Sequence, residues 1–290
     1  MLCIRRDRRT WLKTIVLFVC CKTLEHIVYS NICKFLVSNN ILTSKQHGFR
    51  PGFSCKTQLI LSIDDWARSL DSGFRTDVAI FDFSKAFDSV PHTRLLGSCI
   101  SMIFAVKCLP GFLLSHSTVI PQRFVVHRSQ PSWSDVISGV PQGTVLGPLL
   151  FLLYINGITG NIQSNIRLFA DDCIVYRTIR SHDDSCKLQN DISSLLRWAE
   201  TWQMRFNNCK KCHILSISRQ RHKSSPVYYI GTDVLSTVSS HTYLGITVSS
   251  DLKWHEHISN MCLKATRFST LLGVIHIVVL RKLKILIMCP

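Results

Sequence analysis

Acidic residues are scarce. The 290 residues hold 18 Asp and Glu against 34 Lys and Arg, a formal net charge of +16. No acid at all falls between Asp88 and Asp135. A chain this basic suits a polyanion such as nucleic acid or an anionic membrane, although charge carries no information about fold. The excess is uneven. Residues 1–50 hold nine basic and two acidic residues, and residues 251–290 hold six and two.

Long apolar runs are also missing. Trp11–Cys21 follows a basic Met1–Thr10 and mimics the first regions of a signal peptide, but no small-x-small cleavage site follows. It contains Lys13 and falls short of the roughly 20 apolar residues a membrane span needs. Cys99–Ile120 is broken by Lys107, Pro110 and Gly111, and Leu271–Met288 by Arg281, Lys282 and Lys284. No stable membrane association is expected, and the protein is expected to be intracellular, nuclear or cytoplasmic, rather than secreted. The 13 cysteines form no regular frame, which excludes a disulfide scaffold and points to reduced, mostly buried thiols. Cys209, Cys212 and His213 lack further ligands at a matching spacing, with only His222 nearby, so a zinc site is not expected. No internal repeat is visible. An apolar fraction of 46% excludes a disordered chain.

Helical periodicity runs over Thr23–Phe35 (Leu24, Ile27, Val28, Ile32 and Phe35), with Asn39–Asn40 as its end. A second stripe, Leu59, Ile63, Trp66 and Leu70, predicts a helix over Thr57–Leu70 closed by Asp71-Ser72-Gly73. Gly143–Ile155 reads as a buried helix. Asp183–Phe206 reads as a long one, through Leu188, Ile192, Leu195, Trp198, Trp202 and Phe206. A helix is also expected to start at His255. Strands are expected at Val78–Phe83, Arg123–His127, His213–Ser218 and Tyr243–Val248. Ile166–Phe169 and Cys173–Tyr176 predict a hairpin with Ala170-Asp171-Asp172 at its tip. Alternating helices and mostly antiparallel strands define an α+β class.

Two adjacent acids in apolar surroundings repel each other and lose hydration. Magnesium is typically held by one or two carboxylates plus substrate phosphates, so Asp171 and Asp172, with Asp82 at another strand end, form a candidate metal site. The alternative is a solvated Asp-Asp turn with Asp82 as a helix N-cap.

Ordered blocks decide between these readings. QHGFRPGF (46–53), FDFSKAFDSVPHTRLL (81–96), SGVPQGTVLGPLLFLLYI (138–155), LFADD (168–172) and YLGITVSSDLKWHEH (243–257) resemble, in order and spacing, the reverse transcriptases of non-LTR (LINE-like) retrotransposons. The resemblance covers roughly residues 20–96 and 123–267. It implies a right-hand polymerase fold with fingers (20–76), palm (77–218), and the palm end and start of a thumb (219–267).

The resemblance also implies RNA-templated DNA synthesis on a DNA primer from dNTPs, with two Mg2+ ions, Mn2+ being possible. Asp82 and Asp171 would bind both metals, with Asp172 in support. Phe87 would stack under the sugar and exclude a ribose 2′-OH. Gln142 and Gly143 would lie against dNTP and template, Lys211 near the triphosphate, and Arg50 on phosphate or template. Tyr243, Leu244 and Gly245 would grip the primer. Plainer roles remain for some of these: core packing for Phe87 and Tyr243, and surface charge for Lys211 (with Lys210 as its rival) and Arg50.

Three stretches depart from the family pattern: 1–19, where an N-Y-R-P-I-S-type block is missing, 97–122, and 268–290. Their composition suggests frame-shifted segments in a decayed copy. No endonuclease region precedes the polymerase blocks, so target cleavage is not expected in this chain. The rival to an active polymerase is an inactive nucleic-acid-binding remnant of the same fold.

Overall fold

The computed structural model describes residues 8–103, 121–122, 134–135, 138–207, 211–219, 226–267 and 269. The strand expected at Arg123–His127, the residues Cys209, Lys210 and His222, and nearly all of the 268–290 tail lie outside them.

Six helices are described: α1 (Arg8–Ser38), α2 (Cys55–Asp71), α3 (His92–Ile103), α4 (Leu146–Ile155), α5 (His182–Thr201) and α6 (255–267). Three stop by one device. Asn40 after α1, Gly73 after α2 and Gln203 after α5 take left-handed backbone angles, with φ of 51°, 79° and 55°. In each, that residue and the next send their N–H groups back to the last turn: Asn40 to Val37 and Ile41 to Leu36, Gly73 to Leu70 and Phe74 to Ser69, Gln203 to Glu200 and Met204 to Ala199. This is the Schellman closure, which satisfies carbonyls that a helix end leaves open.

The first two stops fall where the sequence predicts them, but the third corrects it. Apolar periodicity carries a helix to Phe206, yet α5 ends at Thr201. The chain reverses at Gln203, and Phe206 comes back to stack on Phe83 with ring centroids 4.4 Å apart. At the other end α1 extends far beyond Thr23, through the Trp11–Val19 run. Its inward stripe is also shifted. Val28, Tyr29, Ile32, Cys33, Phe35 and Leu36 pack into the core, whereas Leu24 and Ile27 are 58% and 55% exposed. At that level the inward positions belong to Lys22 and Glu25, which bond the backbone of Gly143 and Val145.

Five strands form the central sheet: β1 (Arg75–Phe81), β4 (Asn165–Phe169), β5 (Asp172–Ile179), β6 (His213–Ile217) and β9 (Ser236–Val238), in the order β4-β5-β1-β6-β9. All neighbours are antiparallel except β6 and β9. The remaining strands, β2 (Pro121–Gln122), β3 (Ser134–Asp135), β7 (Tyr229–Ile230), β8 (Asp233–Val234), β10 (Ser240–Tyr243) and β11 (Ile246–Ser249), form three small ribbons. The strand expected over Tyr243–Val248 is therefore a hairpin. Leu244 and Gly245 both have positive φ, 47° and 87°, which makes a two-residue turn of the type favoured by strand twist.

Helices cover both sheet faces. Ala79 and Phe81 of β1 point into a core shared with α4, α5 and the second half of α1. Val78 and Ile80 point into a second core with α2 and the β10–β11 hairpin. Burial on both sides explains why this strand reads as an unbroken apolar run. Among the described side chains, Cys33, Cys173 and Cys212 are buried, and Cys20, Cys21, Cys55, Cys186 and Cys262 are exposed. Cys55, Cys186 and Cys262 sit on outward helix faces. Among the described residues no helix is long and apolar enough to cross a membrane.

Asp77 in β1 is fully buried yet charge-compensated. It pairs with Arg75 Nε at 3.0 Å and accepts from the hydroxyls of Ser216 (2.6 Å) and Tyr228 (2.8 Å). Asp77→Ala leaves a cation, the buried Tyr228 hydroxyl and the part-buried Ser216 hydroxyl without their acceptor. It should cost about 3–5 kcal/mol, read as a lowered urea midpoint with an unchanged slope.

Candidate active site

The carboxylates converge through strand pairing. Phe81 lies opposite Cys173 in the β1–β5 register, so Asp82, the next residue, emerges beside Asp172 at the head of β5. Asp171 occupies the tip between β4 and β5. Ala170 before it has φ of 54°, a left-handed conformation that turns the tip back onto the sheet. The hairpin itself is fastened to α2. Arg167 donates to Asp65 (2.8 Å) and to the Tyr176 hydroxyl (2.9 Å), and that hydroxyl donates to Asp65.

The three acids feel one another. Lost hydration and the nearby Asp82 raise the Asp171 carboxyl above the ordinary range, against a backbone hydrogen bond that lowers it. Lost hydration, then repulsion from Asp171 and Asp82, pushes Asp172 up to about 6. Asp172 keeps an exposed edge, but that edge lines the cleft. Asp82 is turned toward the nearest cation: its Oδ2 lies 3.2 Å from Lys211 Nζ and accepts from Asn207 Nδ2 at 2.8 Å. The acids are neighbours rather than a finished ligand set, and among the described residues no group of three or more His, Cys, Asp or Glu stands in metal-binding geometry.

A cleft of about 330 Å3 opens here, lined by Asp82, Asp172, Lys211, His213, His241, Thr242, Tyr243 and Leu244. Tyr243 is buried, and its hydroxyl accepts from Gln58 Nε2 at 3.0 Å, so the ring is clamped to α2. Leu244, a non-glycine residue in a left-handed turn, reaches the cleft with Gly245 beside it. Burial and the facing His213 lower the His241 imidazole, while Asp82 opposes that shift.

The second group of expected residues gathers on an adjoining surface. Phe87 stacks on Phe151 at 4.3 Å and meets the edge of Phe49 at 6.2 Å. The 138–143 loop is tied to the same place. Val140 N–H donates to Phe87 O, Gly139 N–H to Val90 O, and Gln142 Nε2 to Asp88 Oδ1. Gly143 has φ of 73° and accepts from Lys22. Arg50 is directed into its own loop, with Nη1 donating to Thr43 O (2.6 Å) and Gln46 O (3.3 Å) and its guanidinium lying over Phe53.

Sequence reasoning overlooked Asn207 and His241, and weighed His213 only as a zinc ligand. Asn207 was hidden in a segment noted only for its two lysines, and the histidines are brought to Asp82 by strand packing that local sequence does not show. A larger groove, about 1290 Å3, opens near Arg75, Arg180, Arg219 and Lys253. Three of these cations are already paired, with Asp77, Asp71 and Asp251, so it offers no comparable convergence of reactive groups.

A mostly antiparallel sheet backed by helices, with acids from two strands meeting beside a lysine, is the α+β arrangement that the sequence blocks imply. The family model described as "Reverse transcriptase (RNA-dependent DNA polymerase)" matches residues 8–248, and the chain belongs to that family. It is 27% identical over 248 residues to the probable RNA-directed DNA polymerase from transposon X-element of Drosophila melanogaster, covering 83% of this chain and 27% of that protein. It is 26% identical over 253 residues to the RNA-directed DNA polymerase from mobile element jockey of the same fly, covering 79% and 27%. The chain thus spans about a quarter of the length of these relatives. Apo telomerase from Candida tropicalis, truncated from its C-terminal domain, shares the fold with a TM-score of 0.57 at 12% identity, over 87% of this chain and 48% of that one.

The charge cluster makes a pH prediction. A carboxyl with a raised pKa is more easily protonated in the folded chain than in the unfolded one, so folding is favoured at low pH and loses stability as pH rises from about 4 through about 6. His47 and His241, lowered by burial, shift stability the opposite way over the same range. The decline should therefore show as the wild-type melting temperature falling relative to Asp172→Asn between pH 4.5 and 7.5, and millimolar Mn2+ should reverse it above pH 6 but not at pH 4.5.

Proposed function

We propose that this domain is an RNA-directed DNA polymerase that extends a DNA primer on an RNA template from dNTPs. The observation that carries the reading is the convergence of Asp82, Asp171 and Asp172 at the head of the sheet, set by the β1–β5 and β4–β5 registers. Half-buried negative charge concentrated in this way fits a site for divalent cations, which take oxygen ligands. Asp82 and Asp171 would hold two such ions, Mg2+ or Mn2+, with Asp172 in support. When bound, the ions lower the pKa of the primer 3′-OH and neutralise charge on the triphosphate and departing pyrophosphate.

The chain's own residues orient the reactants. Asn207 fixes the Asp82 carboxylate from one side. Lys211 supplies positive charge at the mouth of the cleft, where the triphosphate enters. The Tyr243-Leu244-Gly245 turn supports the primer end from the opposite wall. Phe87, rigid against Phe151, forms the floor under the incoming sugar and discriminates against a 2′-OH. Gln142 and Gly143, anchored beside it, flank the nucleotide and template. Arg50 adds positive charge on the loop that brings Phe49 to Phe87.

Primer extension on an RNA template with Mg2+ or Mn2+ tests the reading. The wild-type chain should extend, and Asp171→Asn should lose about 100-fold or more, the scale on which removing one charge-stabilising group slows such chemistry. Extension by neither protein, with template still bound, would leave the nucleic-acid-binding remnant as the correct description. Phe87→Ala should raise ribonucleotide incorporation relative to dNTPs by about 10-fold, the discrimination a small steric difference supports.

A further inference from the structure

The tip that carries Asp171 and Asp172 is held from outside the sheet by residues 45–48. His47 N–H donates to Leu168 O, and Leu168 N–H donates to Lys45 O, both at 2.9 Å, so this segment runs as a parallel bridge along the edge of β4. Gln46 lies between them with only 2% of its surface exposed. Its amide makes three bonds. Nε2 donates to Ala170 O at 3.1 Å, while Oε1 accepts from Ala170 N–H at 2.9 Å and from Gly48 N–H at 2.8 Å. One side chain thus satisfies both backbone groups of the residue before Asp171.

Ala170 needs such a hold. It is an L-residue at φ of 54°, a conformation that costs about 1–2 kcal/mol relative to the right-handed region. The acids that follow it sit beside Asp82 at the strand ends, so like charges crowd the turn that Ala170 forms. Gly48 closes the remaining space: a Cβ built there would stand 2.2 Å from Ala170 N, so only glycine lets the two backbones approach.

We propose that Gln46 is a positioning residue for nucleotidyl transfer, an amide clamp that locks the left-handed turn at Ala170 so that Asp171 and Asp172 face Asp82. The clamp couples the fingers segment to the metal-binding tip, and it rests on the polymerase reading above. Gln46 touches neither substrate nor metal. Its effect passes through the Ala170 backbone, in the manner of groups that orient metal ligands from behind.

The test compares the full wild-type chain with Gln46→Met, which keeps the volume and removes all three bonds, and with Gln46→Asn, which keeps a neutral amide but draws it one methylene back from Ala170. Folding is checked by thermal melt. Mn2+ affinity is measured by water-proton relaxation, and kcat and KM for dNTP by primer extension. Gln46→Met should fold, keep its KM for dNTP, and lose about 10–100-fold in kcat and in Mn2+ affinity, the range for orienting groups around metal sites. Gln46→Asn should move the same way by less, and it carries the test if Gln46→Met does not fold.

A folded Gln46 variant with wild-type kcat and Mn2+ affinity overturns the proposal. So does a loss confined to thermal stability. Should the wild-type chain bind Mn2+ yet not extend primers, the polymerase reading fails, and the affinity comparison alone still decides the clamp.

Discussion

Like charges crowded at one edge of a sheet govern this structure. Asp171 and Asp172 share a hairpin tip, and Asp82 leaves the neighbouring strand beside them. Three carboxylates in a partly dehydrated cleft cannot all ionise freely, and two of them are pushed upward in pKa as a result. A fold that only sought stability would replace one of them. Here the surroundings hold them together: Asn207 and Lys211 on Asp82, the Gln46 amide behind Ala170, and the Arg167–Asp65–Tyr176 network under the hairpin. Repulsion opposed by rigid support keeps the three acids side by side, the arrangement on which the proposed metal-dependent polymerase rests.

The support depends on the core. β1 is buried on both faces, so its position between β5 and β6 is strongly fixed, and the register that sets Asp82 beside Asp172 cannot slip without exposing Val78 and Ile80 or Ala79 and Phe81. Two non-glycine residues take left-handed backbone beside the proposed site residues: Ala170, just before Asp171, and Leu244, in the turn that lines the cleft. Strained conformations of this kind persist only where neighbouring structure over-determines them, and they gather at functional sites.

Much of this was legible in the sequence. The α2 and α5 stripes, the hairpin and its acidic tip, and the breaks at Asn40 and Gly73 follow from local periodicity and turn chemistry. The ordered blocks carried the family, because five motifs in sequence are far more specific than any one of them. What failed to show was non-local. The Lys22 and Glu25 contacts that turn Leu24 and Ile27 outward come from a loop more than 100 positions away. Helix α5 stops at Gln203, where no glycine marks the end. Tyr243–Val248 alternates like a strand, and only the positive φ of Leu244 reveals the turn. Gln46 reads as a polar residue in a turn-rich connector, since its partner is Ala170.

The central claim is that Asp82, Asp171 and Asp172 form one cation site. Anomalous diffraction at the manganese edge, from crystals of the full chain grown with Mn2+, tests it directly. The account predicts manganese within ligand distance, about 2 Å, of carboxylate oxygens from both Asp82 and Asp171. Manganese bound elsewhere, or an empty cleft at millimolar metal and neutral pH, would contradict it.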